Sequence, residues 1–313
     1  MKIIPTNNYN VQYYSNSSLQ NKQSYNVLPF KSTKIIDSFV TTRQNPIKKY
    51  AYNMFKRSLV ASARMISPIT PELQPITREI PLQISPTKHT FAWDIQNNNS
   101  NKYLIYLHGA SQNITNIQNL YRQIIDNTDF SILAPEYQGF GKNKKCKVNS
   151  QTFLEDTTAA LNYLKQEKNI EEKNIFIAGH SMGAYPAAML ASNNPKLGGL
   201  ILISPMGSIT NQPLDVNFWF AKRMPPFVKF LFKNFKILRT SLSDFFQIET
   251  FVRQIQIPTD IIHAQNDRLI KPSSSEKLAS LCPNLNSLTI LKQGGHKIEK
   301  YKSNAIISLL SRY

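Results

Sequence analysis

Ser181 stands in Gly179-His180-Ser181-Met182-Gly183, a G-x-S-x-G pattern placed between the apolar run 175–178 and a helix-forming stretch over 182–192. On a sharp strand-to-helix turn the serine backbone is strained and its hydroxyl projects from the sheet edge. Glycines two positions before and after it keep Cβ atoms from colliding where strand and helix nearly touch. The helix N-terminus below the turn favours the negative charge that develops in acyl transfer. The chemistry expected of such a residue is attack of an alcohol oxygen on a carbonyl carbon.

A serine hydroxyl needs an imidazole to take its proton, and the imidazole needs a carboxylate to fix its tautomer. The chain has five histidines, at 89, 108, 180, 263 and 296. His89 falls on a predicted entry strand, His180 inside the turn and His263 within a strand. His296 follows Gly294-Gly295 in the loop before the last predicted helix, where the backbone can carry its ring over the sheet edge. It is the expected base. Asp267 lies just past a predicted strand, giving the chain order Ser…Asp…His. Rival acids are Asp260, at a strand start, and Glu136, after the strand 130–134.

A tetrahedral oxyanion needs two preorganised N–H donors. Met182, the residue after the nucleophile, supplies one. The loop that follows 103–107, Leu107-His108-Gly109-Ala110, is expected to supply the other from Ala110. Gly109 lets the backbone come close, and His108 is read as a buttress. Nothing in this chemistry calls for a metal or a cofactor.

The elements that must position these residues follow from hydrophobic periodicity. The segments 76–84 and 89–95 read as an antiparallel entry pair. Parallel strands are predicted at 103–107, 130–134, 175–178, 200–203, 258–263 and 287–291. Helices are predicted at about 115–127, 153–168, 182–192, 273–281 and 298–311. The helix at 153 is expected to open with a capping box, Thr152-x-x-Glu155. Such alternation implies an α/β fold with a mostly parallel, doubly wound sheet.

At 313 residues the chain can hold one large α/β domain with appendages, and 41% hydrophobic residues excludes a disordered chain. No uninterrupted apolar run reaches the roughly 18–20 residues of a membrane span. The first ten residues lack the apolar core of a secretory signal, so a cytoplasmic chain is expected. Cys146 and Cys282 are too few for a disulfide framework and read as reduced thiols.

The net charge is +18, and residues 1–60 hold nine Lys/Arg against the single acid Asp37. That excess favours contact with polyanions, or serves solubility alone. No zinc-finger spacing or RNA-binding aromatic motif is present, so nucleic acid is not an expected partner. Residues 1–75 read as a basic, Asn/Ser-rich extension: 1–45 without sustained period, a basic amphipathic stretch at 46–66, then a proline-punctuated linker. The hydrolytic domain is expected over 76–313.

The segments YLHGAS (106–111), PEYQGFGK (135–142), IAGHSMGA (177–184), HAQNDRLI (263–270) and GGHKIE (294–299) resemble the α/β-hydrolase superfamily of serine hydrolases, and within it the Bem46-like group. The resemblance covers about 76–313, with a gap over 206–254. It implies hydrolysis of lipid-like acyl esters, or of thioester-linked acyl groups on proteins, without metal or cofactor. It implies a triad of Ser181, Asp267 and His296, with Ala110 and Met182 as oxyanion donors. Where the family often has a serine after Y-x-G-x-G, this chain has Lys142-Asn143-Lys144-Lys145.

The insertion at about 206–254 occupies the place of a helical cap. Phe227, Phe230, Leu231, Phe235 and Leu238 gather on one helical arc, with Lys229, Lys233 and Lys236 opposite. Such a helix suits an anionic membrane surface, or a cap packed on its own domain with a solvated basic face. Three functions follow as expectations: a lipid-ester hydrolase, a protein S-acyl thioesterase, or a noncatalytic adaptor docking on membranes.

Overall fold

The computed structural model describes residues 66–98, 100–110, 112–143, 146, 148–207 and 247–313, together with the backbone of 11–14. The strands are β1 (Val11–Tyr14), β2 (Thr77–Ser85), β3 (Lys88–Ile95), β4 (Lys102–Leu107), β5 (Phe130–Pro135), β6 (Ile175–His180), β7 (Gly199–Ile203), β8 (Thr259–Ala264) and β9 (Leu285–Leu291). The helices are α1 (Gln118–Asn127), α2 (Ser150–Asn162), α3 (Ala184–Asn193), α4 (Ile248–Val252), α5 (Ser273–Leu281) and α6 (Lys300–Leu310).

Among the described residues the strands form one sheet in the order β1-β9-β8-β7-β6-β4-β5-β3-β2. The six central strands run parallel, while β1, β2 and β3 join antiparallel. The predicted doubly wound α/β architecture is the one observed. Strands β5, β6, β7 and β8 are buried along their whole length, as strands covered on both faces are. On one face α1 and α6 cover a core around Tyr106, Tyr121 and Ile306. On the other, α2, α3, α4 and α5 cover a core around Phe153, Tyr185 and Leu278. Each such side chain contributes about 1.5–3 kcal/mol by leaving water.

The order reverses about β4, which has β5 on one side and β6 on the other. A crevice outside the carboxyl ends of the strands at such a point is where open α/β sheets bind ligands. Leu107 pairs with Gly179, and His180 with Ile203, so the loops after β4, β6 and β7 emerge side by side.

Several elements differ from expectation. Helix α2 begins at Ser150, and its cap is Asn149, not Thr152. The Asn149 side chain accepts from Thr152 N–H (2.9 Å), and Thr152 Oγ1 accepts from Asn149 N–H (3.0 Å). Asparagine is the stronger N-cap, and using it adds a turn. Glu155 instead accepts from Lys88 (2.5 Å) and from Gln138 Nε2 (3.1 Å). Residues 11–14, expected to be without structure, pair antiparallel with β9, whose outer edge would otherwise leave backbone groups unpaired.

The proline-rich linker is docked where it is described. Gln118 accepts from Thr70 N–H (2.7 Å) and donates to Pro68 O (2.8 Å), and Leu73 is fully buried. The amphipathic stretch predicted over 46–66, apart from Ile66, lies outside the described residues. So does the cap helix expected within 213–246. The end of that insertion, α4, buries Ile248, Phe251 and Val252 against the domain. Among the described residues no helix is long and apolar enough to cross a membrane. Cys146 and Cys282 are both free thiols.

Candidate active site

Strand β6 ends at His180, and a single 3-10 turn over Ser181–Gly183 feeds α3. Ser181 has φ 55°, a left-handed conformation that a non-glycine residue adopts only at a cost of order 1–3 kcal/mol. The turn keeps it because the neighbouring backbone is packed against it. A Cβ on Gly183 would overlap the carbonyl oxygens of Leu107 and His108 at the end of β4. Strand β4 and the start of α3 can therefore touch only through glycine.

The structure brings together the three residues predicted from distant parts of the chain. The Ser181 hydroxyl donates to His296 Nε2 at 2.9 Å. The other ring nitrogen, Nδ1–H, donates to Asp267 Oδ2 at 2.8 Å. Asp267 sits in the turn after β8, where its Oδ1 accepts the N–H groups of Leu269 (2.8 Å) and Ile270 (2.9 Å). Ser181 and Asp267 are buried, while the His296 side chain keeps 17% of its surface exposed. This is the arrangement in which a hydroxyl proton can pass to an imidazole whose tautomer is fixed.

Local electrostatics suit that transfer. Burial pushes the Asp267 carboxyl up, but hydrogen bonds from His263 and His296, the His296 charge and the Ile270 N–H outweigh it. The carboxyl is held well below the usual carboxylate range, so Asp267 is ionised. Burial pushes the His296 imidazolium down, Asp267 pushes it back up, and the charge of Lys302 lowers it again. The net direction is down, towards the neutral ring a base requires.

The loop after β4 lies against the nucleophile. A Cβ on Gly109 would stand 3.3 Å from Ser181 Cβ and 3.0 Å from His180 Nδ1. Gly109 N–H donates to Gln112 Oε1 (3.0 Å), which commits that donor to the loop itself. Ala110 follows it, half-buried, and Met182 is buried beside Ser181. His108 faces away from the serine. Its Nδ1 lies 2.9 Å from Gly109 O and its Nε2 3.0 Å from Glu136 Oε1, while Tyr137 O–H donates to His108 O (3.2 Å).

The rival acids are engaged elsewhere. Glu136 holds His108, and Asp260 accepts from Ser287 (2.5 Å) and Tyr313 (2.7 Å). His263 stands within β8 as expected, but it also reaches Asp267. Sequence reasoning missed that contact, and it missed Gln112 and Lys302. Lys302 had a signal. It falls on the buried stripe of α6 with Ile306 and Leu309, at i+4 and i+7, where an amphipathic helix would carry an apolar residue.

Comparison with known proteins bears on the fold. Residues 98–247 match the family model for "Serine aminopeptidase, S33". A protein of Acanthamoeba polyphaga mimivirus is 23% identical over 177 residues, 56% of this chain and 59% of that protein. The chain thus spans about three fifths of that relative's length. The α/β-hydrolase domain-containing protein WAV2 of Arabidopsis thaliana is 26% identical over 214 residues, 66% of this chain and 67% of that protein. Among solved structures, an esterase of Pyrococcus furiosus superposes with a TM-score of 0.61 at 19% identity, covering 80% of this chain and 95% of that one. At that identity the likeness is one of fold. Its sheet order, its serine turn and the solved structures it superposes on give the chain an α/β-hydrolase fold.

Proposed function

We propose that the chain is a serine hydrolase that cleaves carboxylic esters of lipid-like substrates through an acyl-enzyme. The observation that carries this reading is the continuous hydrogen-bonded row Asp267–His296–Ser181, with spacings of 2.8 and 2.9 Å. The esterase named among the structural relatives supports the ester class. The Bem46-like branch of the superfamily, suggested by residues 106–111, 135–142 and 177–184, is part of the same proposal.

In this mechanism His296 Nε2 takes the Ser181 proton as the Ser181 oxygen bonds to the acyl carbon. The carbonyl π electrons move to oxygen, and that oxyanion is met by the N–H groups of Ala110 and Met182. Collapse restores the carbonyl and breaks the bond to the leaving oxygen, which receives the proton from the imidazolium. A water molecule then gives a proton to His296 as it attacks the acyl carbon on Ser181; collapse breaks the bond to the Ser181 oxygen, which takes that proton back from the imidazolium, and the acid is released. Asp267 remains ionised throughout and stabilises the imidazolium. The aromatic and basic composition of 213–246 suits an acyl-chain substrate and anionic lipid.

The test is labelling by a fluorophosphonate probe in wild type and Ser181→Ala, followed by turnover of lipid esters, S-acylated peptides and aminoacyl peptides. Labelling lost in the variant, with fatty-acid release from lipid esters, supports the proposal. Turnover of S-acyl peptides alone would favour the thioesterase. A folded wild-type protein that takes no label would favour a docking adaptor.

A further inference from the structure

The last helix places a lysine whose ammonium is held, among the described residues, by main-chain carbonyls. Lys302 is fully buried, and its Nζ donates to two main-chain carbonyls of the histidine loop, Gly295 O (2.6 Å) and His296 O (2.8 Å). His296 O also accepts from His180 Nε2–H at 2.9 Å. One backbone oxygen of the imidazole-bearing residue is therefore held by two buried donors, one from α6 and one from the serine turn. The loop between them contains Gly294 (φ 132°) and Gly295 (φ 54°), and a Cβ on Gly295 would meet nothing within 4 Å. Beyond these donors the loop is tied by Gly295 N–H, which donates to Asn266 Oδ1 at 2.9 Å.

A buried ammonium is expensive unless it is fully hydrogen-bonded. Here it also lies among titratable groups. Asp267, after β8, and Glu299, before α6, draw it towards the charged form, and burial opposes them, leaving the lysine at about 8. Its charge acts on both nearby rings, pushing His296 and His180 down. On the elements packed against α6 the other charged groups are engaged. Arg122 and Asp126 of α1 pair with each other, Asp260 of β8 is held by Ser287 and Tyr313, and His263 by Ser275 and Ile270.

We infer that Lys302 is a positioning residue of this site: its buried ammonium grips the His296 main chain and so sets the ring over Ser181. The inference rests on the proposed role of His296 as base. A purely structural lysine would affect folding alone. A positioning lysine with a charge also changes the pH at which the imidazole becomes available.

Two variants separate these effects. Lys302→Met keeps the length and loses both donors and charge. Lys302→Gln keeps N–H donors, on a side chain one atom shorter, and loses the charge. The readout is the His296 ring titration followed by histidine side-chain NMR, together with kcat/KM against pH. Both variants should titrate His296 higher by on the order of one pH unit. The acid limb of kcat/KM should move with it. Lys302→Met should lose about 10-fold in kcat on the pH plateau, because the ring is no longer held in line. Lys302→Gln should keep more of it. An unchanged His296 titration in both folded variants overturns the inference, whether or not the protein hydrolyses esters. Absence of fluorophosphonate labelling in wild type would instead overturn the proposed function and leave that titration to be read on its own.

Discussion

His263 and His296 hold the same carboxylate oxygen: His263 Nε2 lies 3.4 Å from Asp267 Oδ2, and His296 Nδ1 lies 2.8 Å from it. His263 is fully buried within β8. Its Nδ1 accepts from Ser275 O–H (2.7 Å), and its Nε2–H is shared between Ile270 O (3.0 Å) and Asp267. The carboxylate thus has a fixed partner from the sheet and a second partner whose other ring nitrogen meets Ser181 Oγ.

Replacing His263 by leucine should weaken both stability and turnover. Ile270 O and Ser275 O–H lose their partner, at a cost of about 1–3 kcal/mol for each buried group left unpaired. Asp267 loses one of the hydrogen bonds that hold its carboxyl down, so His296 is less firmly oriented. Urea unfolding and kcat on one ester check this, and an unchanged kcat in a destabilised protein would reduce His263 to a packing role.

The pH profile should carry the direction of the His296 shift. A base must be neutral, and burial lowers the imidazolium below its ordinary value of 6.5. Activity should therefore persist below that pH, with the acid limb of kcat/KM falling on the acidic side of it. An acid limb at or above 6.5 in the folded protein would contradict the buried geometry.

Gly183→Ala should fail by overlap of backbone with backbone. The new Cβ would meet the carbonyl of Leu107, the last residue of the central strand β4, and that of His108 just after it. The expected cost is about 1–3 kcal/mol or more, with loss of fluorophosphonate labelling. A variant with wild-type stability and labelling would show that β4 and α3 are not in contact at this point.

Asp156 offers a stability test away from the serine. Burial raises its carboxyl to about 7 against hydrogen bonds from Gln138 that lower it. The folded pKa lies above the unfolded value of about 3.9. Its favourable contribution is thus complete below that value and is lost as pH rises towards and through 7. Asp156→Asn removes the titration but turns one of the two oxygens that accept from Gln138 N–H and Nε2 into a donor, so Tm should fall at pH 4 and the deficit should shrink at pH 8. Thermal melts at the two pH values decide it.

Neutralising Lys229, Lys233 and Lys236 together should weaken binding to vesicles containing anionic lipid. At about 1 kcal/mol per cation near such a surface, the triple variant should lose on the order of 10²-fold. Salt should erase the difference between wild type and variant. Equal binding of both proteins at low salt would remove electrostatics from the proposed cap.

Much of the site was legible because it is written in short-range sterics. A strand that stops at His180, glycines flanking Ser181 and a helix after it specify the turn without reference to anything distant. His296 could be chosen because it alone followed a glycine pair ahead of a helix, and Asp267 because it closed a buried strand. The α2 cap was misread because Asn149 and Thr152 both qualify locally, and only the added turn of packed helix favours the first.

From the sequence alone came the α/β alternation, the serine turn and the identity of the three residues, since each depends on a few neighbours. Only the tertiary structure decided that Ser181 and His296, 115 residues apart, lie 2.9 Å from each other. It alone showed that His263 and Lys302 stand behind them. Those contacts follow from strand order and from which face each helix covers, and a single sequence carries no local mark of either.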